Sequence, residues 1–577
     1  MRFSALVIGA MCLLFTANLF AAEVNIDRVI IRDMPQEKIL ERFGKLPGEL
    51  LTTEELVALA PESFDGDTLK MLAILIEWTD RLHTYSRETM DSLLFSHDCW
   101  STGSVADYVD EVSYGQVALT GYVTDWYNAG KYKPTWGSDD FINILTVLDP
   151  VIDFTQFDGN NDGEVDAICF VRSGNGQEDS GDPDDIWSYA VSWVTGWGPY
   201  DGMLVTHWNT SPETRPLRDP DFPLEFSGVD TLNRIKVFAH ELSHNMGMPD
   251  LYDYDDKLDT STYSTPNDYN DHPLVDWCLM GYGGYGLLSM GLEIPTHQCG
   301  WNKMQAGWIE PVVLDGEYED LVIYNIETTN YNSLYKIPID DAEGEYFLLE
   351  YRNPQSTAKF DKFDSDFSAY LWPDLTYGCD SIDRGLLITH CHDSLVPLSE
   401  WYRWNNGTPA YPHYSVAVED AGYDPARDYT YNPEGHTTDS AQWWYPFETR
   451  RGALFSDDVA GQSEFGPNTV PSSDGYGGPS NIYVRVDSIV ADRMYLYVNT
   501  DYSGSGGCCV LRGDFNNDGF VDPLDLTGFV EYMWKLGPAP SCLDQIDINN
   551  DGFEDPLDLT YLVNYIWKGG PAPVACP

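Results

Sequence analysis

The chain has 577 residues, too many for one compact core, so two or more domains are expected. Hydrophobic residues make up 43% and aromatics 14%, which excludes a disordered acidic polymer. Asp and Glu number 93 against 32 Lys and Arg; the net charge of −61 excludes nucleic acid and anionic membranes as partners.

The first 22 residues carry Arg2, an apolar run and Phe20-Ala21-Ala22, the pattern of a secretory signal peptide. No later run is long and apolar enough to span a bilayer. Residues 23–68 are charged and helix-prone, with "PQEKILERFGKL" and "TTEELVALA" as amphipathic pieces. Such a segment suits a propeptide, or else a plain N-terminal helical extension. Of the 11 cysteines, Cys12 falls in the leader. The others form no CxxC pair of the zinc type, and an oxidising destination allows disulfides, with Cys278–Cys299 and Cys379–Cys391 suggested by proximity alone.

From residue 69 to about 310 apolar runs alternate with helical ones, the mark of an α/β domain. "LKMLAILIEW", "INILTVLD" and "VDAICFVRSG" read as buried strands, and "STGSVADYVDEVSYG" as a helix and turn. In "FDGNNDGEVDAICF", Asp158, Asn160, Asp162, Glu164 and Asp166 have calcium-loop spacing, although Cys169 stands at the twelfth place. The expected role is a structural calcium site; a plain Asx-rich turn is the alternative.

"FAHELSHNMGMPDLYD" follows at 238–253. His240 and His244, four apart, share a helix face and can bind one ion, while Glu241 beside them can serve as general base. Gly247 can end the helix with a positive φ and turn the chain back. Asp250 then brings a carboxylate, and a catalytic zinc needs a third protein ligand. Asp250 is the favoured third ligand, with Asp253 and Glu293 as competitors.

Beyond residue 310 the strands shorten, as in "EYFLLEYR", "RGLLITHCH", "HYSVAVED" and "NIYVRVDS", and residues 311–500 read as a β-sandwich region. Residues 501–509 are a Gly/Ser linker. In 510–577 one motif occurs twice, 547 − 514 = 33 residues apart. The first loop offers Asp514, Asn516, Asp518, the carbonyl of Phe520, Asp522 and Asp525, with Gly519 at the turn. The second offers Asp547, Asn549, Asp551, the carbonyl of Phe553, Asp555 and Asp558, with Gly552. Calcium takes several hard oxygens in this spacing, and each loop runs into an apolar helix.

A calcium loop plus one helix, duplicated, resembles a type I dockerin, which implies two calcium ions and a cohesin-like partner. Pro523-Leu524 and Pro556-Leu557 stand where such modules select that partner, and this apolar pair departs from the usual residues. "CLMGYGG", with Met280 in a Gly-rich turn, resembles the Met-turn of metzincin-type zinc proteases. Tyr282 matches the place of the tyrosine that some of these use near zinc; it is otherwise a packing aromatic. Together with "SVADYVDEVSYGQVALTGYV", "WNKMQAGWIEP" and "GLLITH", the motif is similar to the immune inhibitor A family of secreted bacterial metallopeptidases, from about residue 69 to 500. Leu242-Ser243 and Leu251 depart from the family pattern without removing a metal-binding atom.

That resemblance implies a metzincin-like α/β zinc protease domain, a β-sandwich region and the small α-helical dockerin module. His240, His244 and Asp250 would bind Zn2+, Glu241 would be the base, and the loops would bind Ca2+. The combined expectation is a secreted endopeptidase acting on proteins or peptides, delivered to a surface or complex by its tail. The rivals are a catalytically silent scaffold of the same fold and a component of a polysaccharide-degrading complex.

Overall fold

The computed structural model describes residues 29–32, 64–131, 138–218, 226–252, 274–283, 294–360, 384–393, 415–421, 454–502, 512–535 and 546–573, with short gaps in several of these. The leader, both amphipathic pieces of the N-terminal segment, Asp253, Tyr282, Glu293 and the linker core lie outside the described residues.

The first unit is a sheet with helices on both faces. Its strands are β1 (Val29–Arg32), β2 (Thr68–Glu77), β3 (Ala118–Val123), β4 (Tyr127–Asn128), β5 (Ala167–Asn175), β6 (Tyr189–Tyr200), β7 (Met203–Arg218) and β8 (Phe226–Leu232). The order is β1-β6-β7-β5-β2-β3, with β4 on β2 and β8 on β7. β2 runs parallel to β3 and β5, and β5 to β7; β6 is antiparallel to β7. β2 is the sheet's central ruler. Successive side chains point to opposite faces, so Leu69, Met71, Ala73 and Leu75 enter one core while Leu72, Ile74 and Ile76 enter the other.

The first core is roofed by α1 (Arg87–Phe95), α2 (Val105–Val112) and, after the short α4 (Gln177–Ser180), α5 (Ile235–Asn245). α2 is set by a capping box: the Ser104 hydroxyl accepts from Asp107 N, and the Asp107 carboxylate accepts from Ser104 N. The second core holds α3 (Ser138–Leu148). α3 corrects the strand expected at "INILTVLD". Phe141, Ile142, Ile144 and Leu145 are all buried, whereas Val147 is exposed. That is a helical stripe, which the run of β-branched residues disguised.

The N-terminal segment is not detached from this unit. β1 pairs antiparallel with β6, Val29 opposite Trp193 and Arg32 opposite Ala190. Phe64 N donates to Met246 O at the end of α5.

After α6 (Gly300–Gln305) come two more sheets. One is ordered β14-β13-β12-β11-β9, from β9 (Val312–Val313), β11 (Leu334–Asp340), β12 (Glu345–Arg352), β13 (Gly385–His392) and β14 (Val416–Val418). The other is ordered β10-β17-β16-β15, from β10 (Glu317–Tyr324), β15 (Glu464–Phe465), β16 (Tyr483–Val490) and β17 (Arg493–Asn499). Phe347, Leu349 and Ile388 of one meet Val484, Leu496 and Val498 of the other in a single core. The opposite face of β12 and β13 joins the first unit's core through Tyr346, Leu348 and Cys391. Burial on both faces explains why "EYFLLEYR" is buried along its whole length.

At the C-terminus α7 (Pro523–Lys535) and α8 (Pro556–Lys568) pack over Phe529, Ile546, Ile548 and Leu562. The fold is thus mixed α/β with several sheets and a small helical C-terminal module.

Candidate metal centre

α5 lies across β5, β6 and β7. Ile235, Phe238, Ala239 and Leu242 face the sheet-side core. That packing fixes the helix, and His240, Glu241 and His244 are all buried on it. The helix ends in a Schellman turn. Met248 N donates to Ser243 O (3.0 Å) and Gly247 N to His244 O (3.0 Å). Gly247 adopts φ +90°, a conformation costly for any residue with a Cβ. The reversed chain brings Asp250 back over the helix it has just left.

The outcome is a convergence of three side chains. Asp250 Oδ1 lies 3.1 Å from His240 Nε2 and 3.2 Å from His244 Nε2. One ligand atom from each of His240, His244 and Asp250 falls within 4.8 Å of the others, and among the described residues no other trio of His, Cys, Asp or Glu does so. The tautomers follow from the far sides of the rings. His240 Nδ1 meets Leu279 O at 3.0 Å, and His244 Nδ1 meets Met248 O at 2.7 Å. A carbonyl only accepts, so both Nδ1 atoms carry the proton, and in the neutral rings both Nε2 lone pairs face the Asp250 carboxylate. Lone pairs against a carboxylate repel unless a cation lies between them. A zinc tetrahedron with bonds of ~2.0–2.1 Å has edges of about 3.3 Å, close to both separations. The donor set therefore fits zinc.

Burial would raise the Asp250 carboxyl, yet when no metal is bound and the His244 and His240 rings are protonated, their charge holds it well below the ordinary carboxylate range. Leu251 N donates to Met280 O at 2.7 Å, pinning the residue after Asp250 to the turn at 278–281. Met280 is fully buried in the same core as α5. The carbonyls of Met248 and Leu279 that orient the histidines were not legible in the sequence, because backbone acceptors leave no residue signature.

The other expected sites are less assembled. In the loop at 158–166, Asp158 accepts from Asp162 N and Gly163 N, and Asp166 accepts from Gly159 N and Lys70 N. Asn160 Nδ2 donates to the Asp162 carboxylate, and Glu164 accepts from Thr206 Oγ1. Burial, helped by Asp158 and Asp162, pushes the Asp166 carboxyl up to about 6. No three carboxylates of this loop converge within 4.8 Å. Cys278 and Cys299, suggested as a disulfide, are both free thiols; Cys299 N lies 3.4 Å from Cys278 Sγ. Cys391 is likewise free, and Cys379 lies outside the described residues.

In the C-terminal module Asp514, Asp525, Asn549 and Asp558 are described; Asn516, Asp518, Phe520, Asp522, Asp547, Asp551, Phe553 and Asp555 are not. Asp525 Oδ1 accepts from Phe515 N (2.8 Å), and Asp558 Oδ1 accepts from Ile548 N (2.8 Å). The two closures are the same contact repeated, since 558 − 525 = 33 and 548 − 515 = 33.

Among the described residues no helix is long and apolar enough to cross a membrane. Residues 512–567 match the Dockerin type I domain model. A stretch of 281 residues is 24% identical to Immune inhibitor A of Bacillus thuringiensis subsp. alesti. That match covers 38% of this chain and 37% of the relative, so the chain aligns with little more than a third of the relative's length. The chain thus carries a type I dockerin domain at its C-terminus and, over part of its length, a distant similarity to Immune inhibitor A.

Proposed function

We propose that this protein is an exported zinc endopeptidase that cleaves protein or peptide substrates and is carried to a cohesin-like partner by its dockerin domain. The observation that carries the reading is the convergence of His240 Nε2, His244 Nε2 and Asp250 Oδ1, each within 3.2 Å of a partner, next to the buried Glu241. The distant similarity to Immune inhibitor A supports it. The strand order, with the antiparallel strand β6 beyond parallel neighbours and the motif helix lying across it, suits a metzincin-like α/β unit.

Zinc, when bound, supplies a Lewis acid that polarises the scissile carbonyl and makes water acidic enough to ionise near neutrality. His240, His244 and Asp250 would hold it. Glu241 takes the proton from the attacking water and returns it to the leaving amine. Tyr282, two residues after Met280, is proposed to stabilise the developing negative charge.

An extended substrate would take the place that β1 occupies along β6. This supports residues 23–68 as a propeptide, residues 69–310 as the catalytic unit and 311–500 as its β-rich continuation. Calcium is proposed for the paired loops at 514–525 and 547–558, where Asp525 and Asp558 are fully buried carboxylates that favour a nearby cation. Calcium at 158–166 requires Asp158, Asp162 and Asp166 to draw closer than they stand.

The test is Glu241→Gln in the full chain freed of its leader. The variant keeps its zinc and loses casein hydrolysis by ~10²–10⁴-fold. Cleavage at the parent rate removes Glu241 as the base and the mechanism with it.

A further inference from the structure

Residues 296–303, Thr-His-Gln-Cys-Gly-Trp-Asn-Lys, are buried throughout, yet Thr296, His297, Gln298, Asn302 and Lys303 are polar. Most buried polar side chains are hydrogen-bonded, so the partners of His297, Gln298, Asn302 and Lys303 show what the segment holds together. His297 and Lys303 face α2: His297 Nε2 meets Glu111 Oε1 at 3.0 Å, and Lys303 Nζ donates to Val112 O at 3.3 Å. Gln298 faces the metal centre instead.

Gln298 Nε2 donates to Ser243 Oγ at 3.0 Å. Ser243 lies on α5 between the two histidines and donates to Ala239 O at 2.7 Å, so its hydroxyl is oriented from both sides. Gln298 Oε1 accepts from Asn302 Nδ2 at 2.8 Å and from the Cys278 thiol at 3.5 Å. Cys278 starts the turn that holds His240: its carbonyl accepts from Gly281 N and Gly283 N, and the next carbonyl, Leu279 O, receives His240 Nδ1–H. Leu279 N is itself fixed to His297 O at 3.2 Å.

One amide thus spans two bodies. Its nitrogen grips the helix that presents both Nε2 atoms. Its oxygen grips the turn that fixes the ring orientation of His240. We propose that Gln298 is a positioning residue of the metal centre, setting the rotation of α5 against the 278–281 turn so that the His240 ring stays aimed at the site shared with His244 and Asp250. The proposal rests on the zinc reading above. Groups that hydrogen-bond a metal ligand fix its orientation, and their loss typically costs 10–100-fold in metal affinity; Gln298 acts one contact further back, through Ser243 and Cys278. An apolar residue of the same size would fill the space equally well, so packing alone does not call for an amide here.

The experiment uses the full chain loaded with zinc and, in parallel, with cobalt. Gln298→Leu keeps the volume and removes all three side-chain hydrogen bonds, to Ser243, Asn302 and Cys278; of these, Ser243→Ala removes only the helix-side bond, from the other end. Zinc release into excess chelator is timed at 25 °C, the visible d–d bands of the cobalt form are recorded, and thermal melting is followed separately. Both variants should release zinc faster, by about 10-fold, the low end of that range, and shift the cobalt bands. The double variant should be no worse than Gln298→Leu alone, because the bond that Ser243→Ala removes is already lost there. A parent-like release rate and cobalt spectrum in both variants, with only the melting temperature lowered, would make Gln298 an ordinary core amide and overturn the proposal. Should Gln298→Leu not fold, Ser243→Ala decides alone, and parent-like behaviour there overturns it. A parent chain that takes up neither metal overturns the zinc reading itself, an outcome seen before any variant is made.

Discussion

Replacing Gly247 by alanine tests whether the reversal after α5 builds the metal centre. Gly247 holds φ +90°. A residue with a Cβ in the left-handed region costs roughly 1–2 kcal/mol. The chain has two ways to respond. It can keep the turn and carry the strain, in which case the whole fold loses that stability. It can also relax the turn in the metal-free state, and metal binding must then restore it. In the second case zinc affinity drops by the same free energy, about 5–30-fold at about 1.4 kcal/mol per tenfold. Relaxation is the expected response, because two ligands hang on this turn. Met248 O, one residue on, is the acceptor for His244 Nδ1 at 2.7 Å, and Asp250 lies two residues further. A competitive zinc titration against a chelator, with melting curves of the zinc-free and zinc-loaded forms, separates the responses. Gly247→Val should exceed Gly247→Ala, since a β-branched residue tolerates positive φ even less. An alanine variant with parent affinity and parent melting in both forms would refute the argument that this glycine shapes the site.

Asp250→Ala should strip the zinc and stop proteolysis, whereas Asp253→Ala should keep the metal; zinc content after dialysis distinguishes them. Calcium added to the chelator-treated chain should raise the helical circular dichroism signal through α7 and α8, and an unchanged spectrum would refute calcium-dependent folding of that module. Burial disfavours the charged His390 ring, but Glu345 Oε1 at 2.9 Å and Glu419 Oε1 at 3.1 Å raise its pKa above the usual value. A raised imidazole pKa contributes stability that is full below about pH 6.5 and is lost as pH rises through the folded value. The β-rich region should therefore melt lower at pH 8 than at pH 6, and His390→Gln should flatten that slope; an equal slope in the variant would count against the pair.

The site was more legible than the fold around it. His240, Glu241, His244, Gly247 and Asp250 are consecutive in one motif, and local geometry alone carries them toward one point. "LKMLAILIEW" and "VDAICFVRSG" read correctly because a buried parallel strand is apolar over most of its length, with Lys70 and Arg172 among the exceptions. "INILTVLD" misled for the same reason: Ile, Val and Leu fill buried helices and strands alike, and only the exposed Val147 betrays the helical period. The calcium spacing at 158–166 says which residues carry oxygens, not whether backbone amides have already taken them. Gln298 was out of reach, because its partners Ser243 and Cys278 lie 55 and 20 residues away.

A boundary drawn at residue 310 falls inside a joint. Lys303 Nζ reaches Ile326 O (3.4 Å), Glu111 accepts from Lys359 N and Phe360 N, and Gly300 N donates to Glu350 Oε2 (2.5 Å). Arg352, buried and paired with Glu350 (3.0 Å), donates to Trp277 O. A chain ending at 310 would leave Glu111 and Lys303 without these partners and uncover the apolar face that Tyr346 and Leu348 seal. In the vocabulary of protein engineering, the two regions share one seam, and a cut at 310 would open it on both sides. The dockerin, joined by a Gly/Ser linker and closed around its own core, is the piece that can be cut away without opening that seam.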